Sequence, residues 1–274
     1  MPADITWSLS GVDTVRWNVQ AGSLWRPPVT VRRSVLTVPG RHGSLPTARP
    51  PVFEEPTVTL ELLCKGLMPS LEAAVNEVTA LLSAPGLTLG RSSGGVVTSA
   101  PTALISISPG DFFADRAARV TAMLAVPGVF LRGASADSAS AVVPATVALP
   151  ALAAGTAPVG DSVLRFKGPF SAIGATDPVS GTGISWSGAA LNATTYLYID
   201  LATLTARTST SSAAWETGGA DVSGGLSYPA AGPLQIWPRM AAADPAVRSA
   251  SLVVTATGAD ATTALVVRAA PAYL

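Results

Sequence analysis

The sequence predicts a mainly β protein in two parts, the first carrying one helix and the second none. Three observations carry this reading. Among 274 residues, 25 Gly and 23 Pro fall between short apolar runs instead of gathering in one tail. Most of those runs alternate apolar and polar residues at period two. Only one stretch repeats at three-and-four spacing. The hydrophobic fraction of 48% is enough for packed cores.

In chain order, Ile5 to Leu9 and Val15 to Val19 read as strands separated by a turn at Ser10, Gly11 and Asp13. Val29 to Val38 alternates through Arg32 and Arg33 until Pro39 and Gly40 stop it, and Thr57 to Leu63 reads Thr-Val-Thr-Leu-Glu-Leu-Leu. Each predicts one buried and one wet face. After Pro69, Ser70 stands where a helix cap belongs. Leu71, Ala74, Val75, Val78, Leu81 and Leu82 then form an apolar stripe opposite Glu72 and Glu77, with Pro85 and Gly86 ending the helix. Gly90 to Ala100 reads as a flexible loop, and Ala103 to Ile107 and Arg119 to Leu131 as strands. Ala134 to Gly160, rich in Ala, Ser, Thr, Val and Pro, reads as a connecting segment, dividing the chain into 1–133 and 134–274. Beyond it, Val163 to Phe166, Gly183 to Trp186, Tyr196 to Ala206, Leu234 to Trp237, Leu252 to Thr257 and Ala264 to Val267 predict a sandwich or jelly roll. A hairpin turn is expected at Gly258, Ala259 and Asp260.

Counting excludes several functions. Charged residues are 12% of the chain, seventeen basic against seventeen acidic, and neither half carries the excess of Lys and Arg that phosphate neutralisation requires. Sequence recognition of nucleic acid is not expected. A single cysteine, Cys64, closes no intrachain disulfide, and a single histidine, His42, builds no multi-histidine metal site. Met1 to Gly11 contains Asp4 and lacks both a basic n-region and an apolar run, so it does not read as a signal peptide. The charge-free stretch Ser138 to Gly160 is interrupted by Pro144, Pro150 and Pro158, which argues against membrane insertion.

The search for chemistry is equally spare. His42, in the turn Pro39-Gly40-Arg41-His42-Gly43, has no orienting partner in the sequence and reads as a polar turn or interface residue. Cys64 reads as a small buried hydrophobe. The adjacent Glu54 and Glu55 face opposite sides of a strand, while Asp200 and Glu216 could meet across a sheet, yet nothing marks either pair for glycoside cleavage. Gly181-Thr-Gly183 leads to Trp186 where a dinucleotide loop needs Gly, and no Lys-Ser or Lys-Thr follows Gly90 to Gly95. Asp177, Ser180 and Thr182 lack the acidic density of a calcium loop. Neither a catalytic residue, a cofactor nor a metal site is predicted, and the chain reads as a non-enzyme. The alternative is a carbohydrate-binding sandwich on which Trp186, Trp215 and Trp237, with Tyr196 and Tyr198, stack host glycans.

Val31-Arg-Arg-Ser-Val-Leu-Thr-Val-Pro-Gly-Arg-His-Gly43, then Phe53-Glu-Glu-Pro-Thr-Val-Thr-Leu60 and the helix Leu71 to Leu82, resemble the N-terminal domain of siphophage distal tail proteins (Dit-like minor tail proteins). Thr176-Asp-Pro-Val-Ser-Gly-Thr-Gly-Ile-Ser-Trp186 and Tyr196-Leu-Tyr-Ile-Asp200 are similar to the C-terminal sandwich of many of them. The resemblance implies an N-terminal split β-barrel forming a homo-hexameric ring at the tail tip, and a C-terminal galectin-like sandwich. It implies a structural virion protein joining the tail tube protein to the tail hub or tail-associated protein, near the tape measure and receptor-binding proteins, and supporting host attachment. Sugar-binding galectins use a histidine in their site, and 134–274 has none. Ring or tube contacts are expected at Arg32, Arg33, Arg41, His42 and Gly43, and at Gly94 and Gly95.

Overall fold

A computed structural model of the protein describes residues 6–12, 17–20, 23, 29–32, 35–36, 45–46, 50–65, 70–113, 116–216, 218–240 and 248–274. It is mainly β, with one α-helix among the described residues, Ser70–Leu82. Two compact units emerge from its contacts: 1–33 with 51–133, and 134–273 together with Ser34–Pro50. The sequence reading places that last segment in the first part. Within it, Val35–Leu36 pairs antiparallel with Leu45–Pro46.

In the first unit an antiparallel sheet runs in the order Ala103–Phe113, Ala117–Ala125, Thr57–Lys65, Trp17–Val19. Alternation buries Val58, Leu60, Leu62 and Cys64 directly opposite Leu124, Ala122, Val120 and Ala118. The alanines make room on that face for the helix, which buries Leu71, Ala74, Val75, Val78 and Leu82 and packs on the same strands. Trp17, paired with Cys64, completes the core at the sheet margin. The helix stops where predicted: Ser83 and Ala84 donate back to Thr79 and Leu81, and Gly86 follows at φ +84°. A second sheet joins Thr6–Leu9, Thr88–Ser93, Val96–Pro101 and Leu131–Arg132 in that order.

The second unit is a pair of antiparallel sheets sharing a core. One runs Ala136–Asp137, Ala264–Ala269, Val163–Lys167, Tyr196–Asp200, Thr205–Ser209, Ala220–Asp221, and Ala141–Val142 also pairs with Ala264–Ala269. The other runs Ala145–Ala148, Ser251–Thr257, Phe170–Thr176, Gly183–Leu191, Leu226–Ser227. Their inner faces meet through a chain of aromatic rings, Phe166 to Phe170 at 6.2 Å and Phe170 to Trp186 at 6.1 Å, both edge to face. Sheet neighbours distant in sequence give the crossed connectivity typical of sandwiches.

Several elements depart from the sequence reading. The connecting segment is built into the sandwich as three strands, and a 3-10 turn at Pro150–Leu152 buries Leu152. Tyr196 to Ala206 is two strands: Asp200 Oδ1 accepts from the backbone N–H groups of Ala202 and Thr203, and Leu204 takes a positive φ of 54°, which turns the chain. Phe170–Thr176 is central although Gly174 weakens its alternation; Thr255 Oγ1 fills the space a Cβ there would take. Leu234 to Trp237 makes only a bridge, Val159 to Ile236.

Candidate functional site

Arg32 lies on the short strand Val31–Arg32, exposed, with its Nε 3.6 Å from Glu54 Oε1 on the other side of that two-stranded ladder. Glu54 thus serves as a local ion-pair partner, in a pair whose exposure limits it to about 1 kcal/mol or less. Arg33, Arg41, His42 and Gly43 lie outside the described residues. Gly94 and Gly95 form no flexible loop. They are the two-residue connection of the hairpin Thr88–Ser93 and Val96–Pro101, with φ +57° and +81°. Two successive positive φ values match the twist of the flanking strands, and glycine reaches them without a steric cost. The hairpin tip then presents Val96 and Val97 to solvent, the latter 70% exposed.

A second apolar surface was missed from sequence. Ala103–Phe113 is eleven residues long and lies at the margin of its sheet, with Ile105, Phe112 and Phe113 exposed and Met123 exposed on the neighbouring strand. A register shift between Leu104 and Ser106 leaves Ile105 as an extra residue, which redirects its side chain. Arg119 stacks over Phe113 at 5.4 Å. The signal was the run of apolar residues on both phases of the strand, more than one buried face can take.

The glycan platform does not form. Trp186 is buried between the sheets, where its Nε1 donates to the Val222 carbonyl at 3.0 Å, and the glycines at 188 and 225 leave the room its indole occupies. Trp215 is 7% exposed and Tyr198 fully buried. Trp237 is half-buried and its backbone N–H donates to Asp177. Period two says only that a tryptophan is on one face or the other; here tertiary packing covers both.

Asp177, Ser180 and Thr182 do cluster, as a polar staple. The buried Asp177 carboxylate accepts from the N–H groups of Val179, Ser180 and Trp237 and from Ser180 Oγ at 2.7–3.2 Å, while Thr182 Oγ1 both donates to and accepts from the Gln235 backbone. Every oxygen in the group is committed to holding the loop. Asp200 caps a turn, and Cys64 lies buried in Thr57–Lys65. Among the described residues no three His, Cys, Asp or Glu side chains are grouped to hold a metal, and no helix is long and apolar enough to cross a membrane. A cavity of about 80 Å³ in the second unit is lined by Asp137, Ser138, Leu149, Pro150, Leu152 and Val267. Its one carboxylate, Asp137, is held below the usual carboxylate range by the bidentate hydrogen bonds of Arg268, at 2.6 and 3.0 Å, against the opposing pull of desolvation.

On the outer face of the first-described sandwich sheet, Arg165, Tyr198 and Arg207 stand in one register row, flanked by Tyr196 and Arg268. Residues 210–216 cross this face. Trp215 sits between two guanidinium groups, Arg165 at 4.6 Å and Arg268 at 4.1 Å from its ring, and edge to face with Tyr198. Tyr198 donates to the Ser211 carbonyl at 2.7 Å, Arg165 to that of Ser212, and Arg207 to that of Ala214 at 2.9 Å. Burial pushes the Tyr198 phenol up.

No family model matches the sequence, and no curated protein matches it. Comparison of structures does find matches. Over 99% of this chain and 100% of the other, the structure matches the crystal structure of Dit (gp 19.1) of phage SPP1, with a TM-score of 0.64 and 13% identity. The chain has the SPP1 Dit fold. SPP1 Dit is described as a paradigm of the hub adsorption apparatus in phages that infect Gram-positive bacteria. A chain of the phage P2 baseplate, in its activated conformation with Ca, aligns over 98% of both chains with a TM-score of 0.43 and 8% identity. The Dit fold spans both units, so neither is an unrelated addition to the other.

Proposed function

We propose that the chain is a structural virion protein of a long non-contractile phage tail. It forms a six-membered ring at the tail tip that joins the tail tube to the hub and supports host attachment. The observation that carries this reading is the end-to-end match with SPP1 Dit, 99% of one chain on 100% of the other. A shared part would point only to a common module; a shared whole points to a common architecture. The first unit is assigned the ring contacts because its described residues expose Val96 and Val97 at a hairpin tip and Ile105, Phe112, Phe113 and Met123 along a sheet margin. A closed ring uses two different patches per copy, and a durable contact buries on the order of 1,600 Å² or more. The reading includes no catalytic step: of the carboxylates considered for one, Glu54 is held in an ion pair and Asp200 in a turn. Light scattering of the purified chain tests the proposal. Six-chain particles that images place between tube and hub support it; a monomer that joins neither overturns it.

A further inference from the structure

The arginine row of the second unit is closed by acceptors of the wrong charge for it. Arg165 and Arg207 both donate to neutral carbonyl oxygens of the strap 210–216, and Arg207 Nε is buried with no acceptor. No nearby carboxylate hydrogen-bonds Arg165 or Arg207: Asp137 is bonded to Arg268, toward which Glu216 also lends its charge, Asp200 takes the N–H groups of Ala202 and Thr203, and Asp221, opposite Arg207 in register, takes Ser223 N and Oγ at 2.9 and 2.5 Å. A carboxylate or phosphate takes two parallel N–H donors from a guanidinium and holds them about twice as strongly as a neutral acceptor does. Arg207 offers that fork, through the unfilled Nε and the Nη2 now given to Ala214.

The strap is suited to displacement. Its residues Thr210 to Ala214 are all Thr, Ser or Ala, its one large anchor is Trp215, and Gly218 and Gly219 follow at φ +86° and +102°. Lifting it uncovers Arg165 and Arg207 beside the half-buried Tyr196, over which Arg165 already stacks at 5.8 Å. We propose that this face is a binding site for a carboxylate- or phosphate-bearing ligand that replaces the carbonyls of strap 210–216 on Arg165 and Arg207. The site is independent of ring formation and goes beyond the structural role.

The test uses the full chain with three probes: D-glucuronate, inorganic phosphate, and glucose as the neutral control. Titration calorimetry should show saturable binding of one or both anions and none of glucose; which anion binds identifies the source of the charge. Removing the anchor with Trp215→Ala should tighten anion binding about tenfold, because the cost of opening no longer reduces the apparent affinity. Arg207→Lys should weaken it about tenfold. Hydrogen exchange in the unaltered protein provides a reading free of any folding defect: the anion should speed exchange of the strap amides, whereas an ordinary surface ligand slows or spares them. No anion binding to the Trp215→Ala chain, equal affinities with and without Trp215, or unchanged strap exchange at saturation would each overturn the proposal.

Discussion

The two units solve the same packing problem in different ways, and the difference marks where each has surface to spare. In the first, a helix covers one face of a sheet, and the strand Ala103–Phe113 at its margin keeps Ile105, Phe112 and Phe113 in solvent. In the second, two sheets cover each other through Phe166, Phe170 and Trp186, and one outer face is covered again by Trp215 on its arginines. Long apolar margins persist in natural proteins chiefly where another chain covers them. The contrast supports the proposal that contacts between copies lie on the first unit.

The largest effect that could break this comparison is on assembly. Val97→Glu at the hairpin tip should weaken self-association at least about 100-fold, since a buried unpaired charge costs several kcal/mol. The matched Val253→Glu, on the exposed outer face of the sandwich, should leave it unchanged. Equal sedimentation of the two variants would remove the distinction between units.

Core truncation comes next. Phe166→Ala should cost about 3–5 kcal/mol and Leu60→Ala about 2–5 kcal/mol. If the units unfold separately, calorimetry will show each substitution lowering a different transition; one transition shifted by both would show them to be a single cooperative block.

A smaller effect tests how tightly the sandwich is filled. A Cβ at Gly188 would lie 2.6 Å from the indole of Trp186, so Gly188→Ala should cost about 1–3 kcal/mol. Urea titration followed by tryptophan fluorescence measures it. The buried hydroxyls give a paired comparison. Thr263 Oγ1 donates to the Pro169 carbonyl at 2.9 Å and accepts from the Asp260 N–H at 3.0 Å, so Thr263→Val should cost about 1–3 kcal/mol. Ser162 Oγ is buried without a partner, and Ser162→Ala should be neutral or stabilising.

Least is expected from Asp137→Asn. Its bond to Arg268 holds the folded carboxyl below its ordinary pKa, so the pair's contribution is present above about pH 4, the unfolded value, and fades as pH falls through the lower folded value. Both side chains are more than a third exposed, which limits the loss at neutral pH to about 1 kcal/mol or less. Urea midpoints of the two proteins should converge in strong acid; a gap that widens there would reverse the sign.

Local rules made the helix and most strands legible. Ser70–Leu82 needs nothing beyond its apolar stripe and its stop, and Thr57–Lys65, Ser251–Thr257 and Ala264–Ala269 show their alternation openly. The hairpin at 94–95 was equally local, yet its glycines were read as looseness although paired positive φ values make them a tight turn. Candidate site residues were far less legible. Trp186, Trp215 and Tyr198, which the alternative reading placed on an exposed platform, are buried.

By itself, the sequence determined the periods, the breaks and the absence of surplus charge, since each depends on residues within a few positions of one another. Only the tertiary structure decided which strands are neighbours. Arg165, Arg207 and Arg268 each look ordinary in their strands, Val163–Lys167, Thr205–Ser209 and Ala264–Ala269. Sheet order brings Arg165 and Arg268 to the two sides of Trp215 and Arg207 over the neighbouring Tyr198. Side-chain alternation says that a residue points outward; it carries no information on what chain segment will lie there, because that depends on pairings between distant segments, such as Asp137 and Arg268, 131 residues apart.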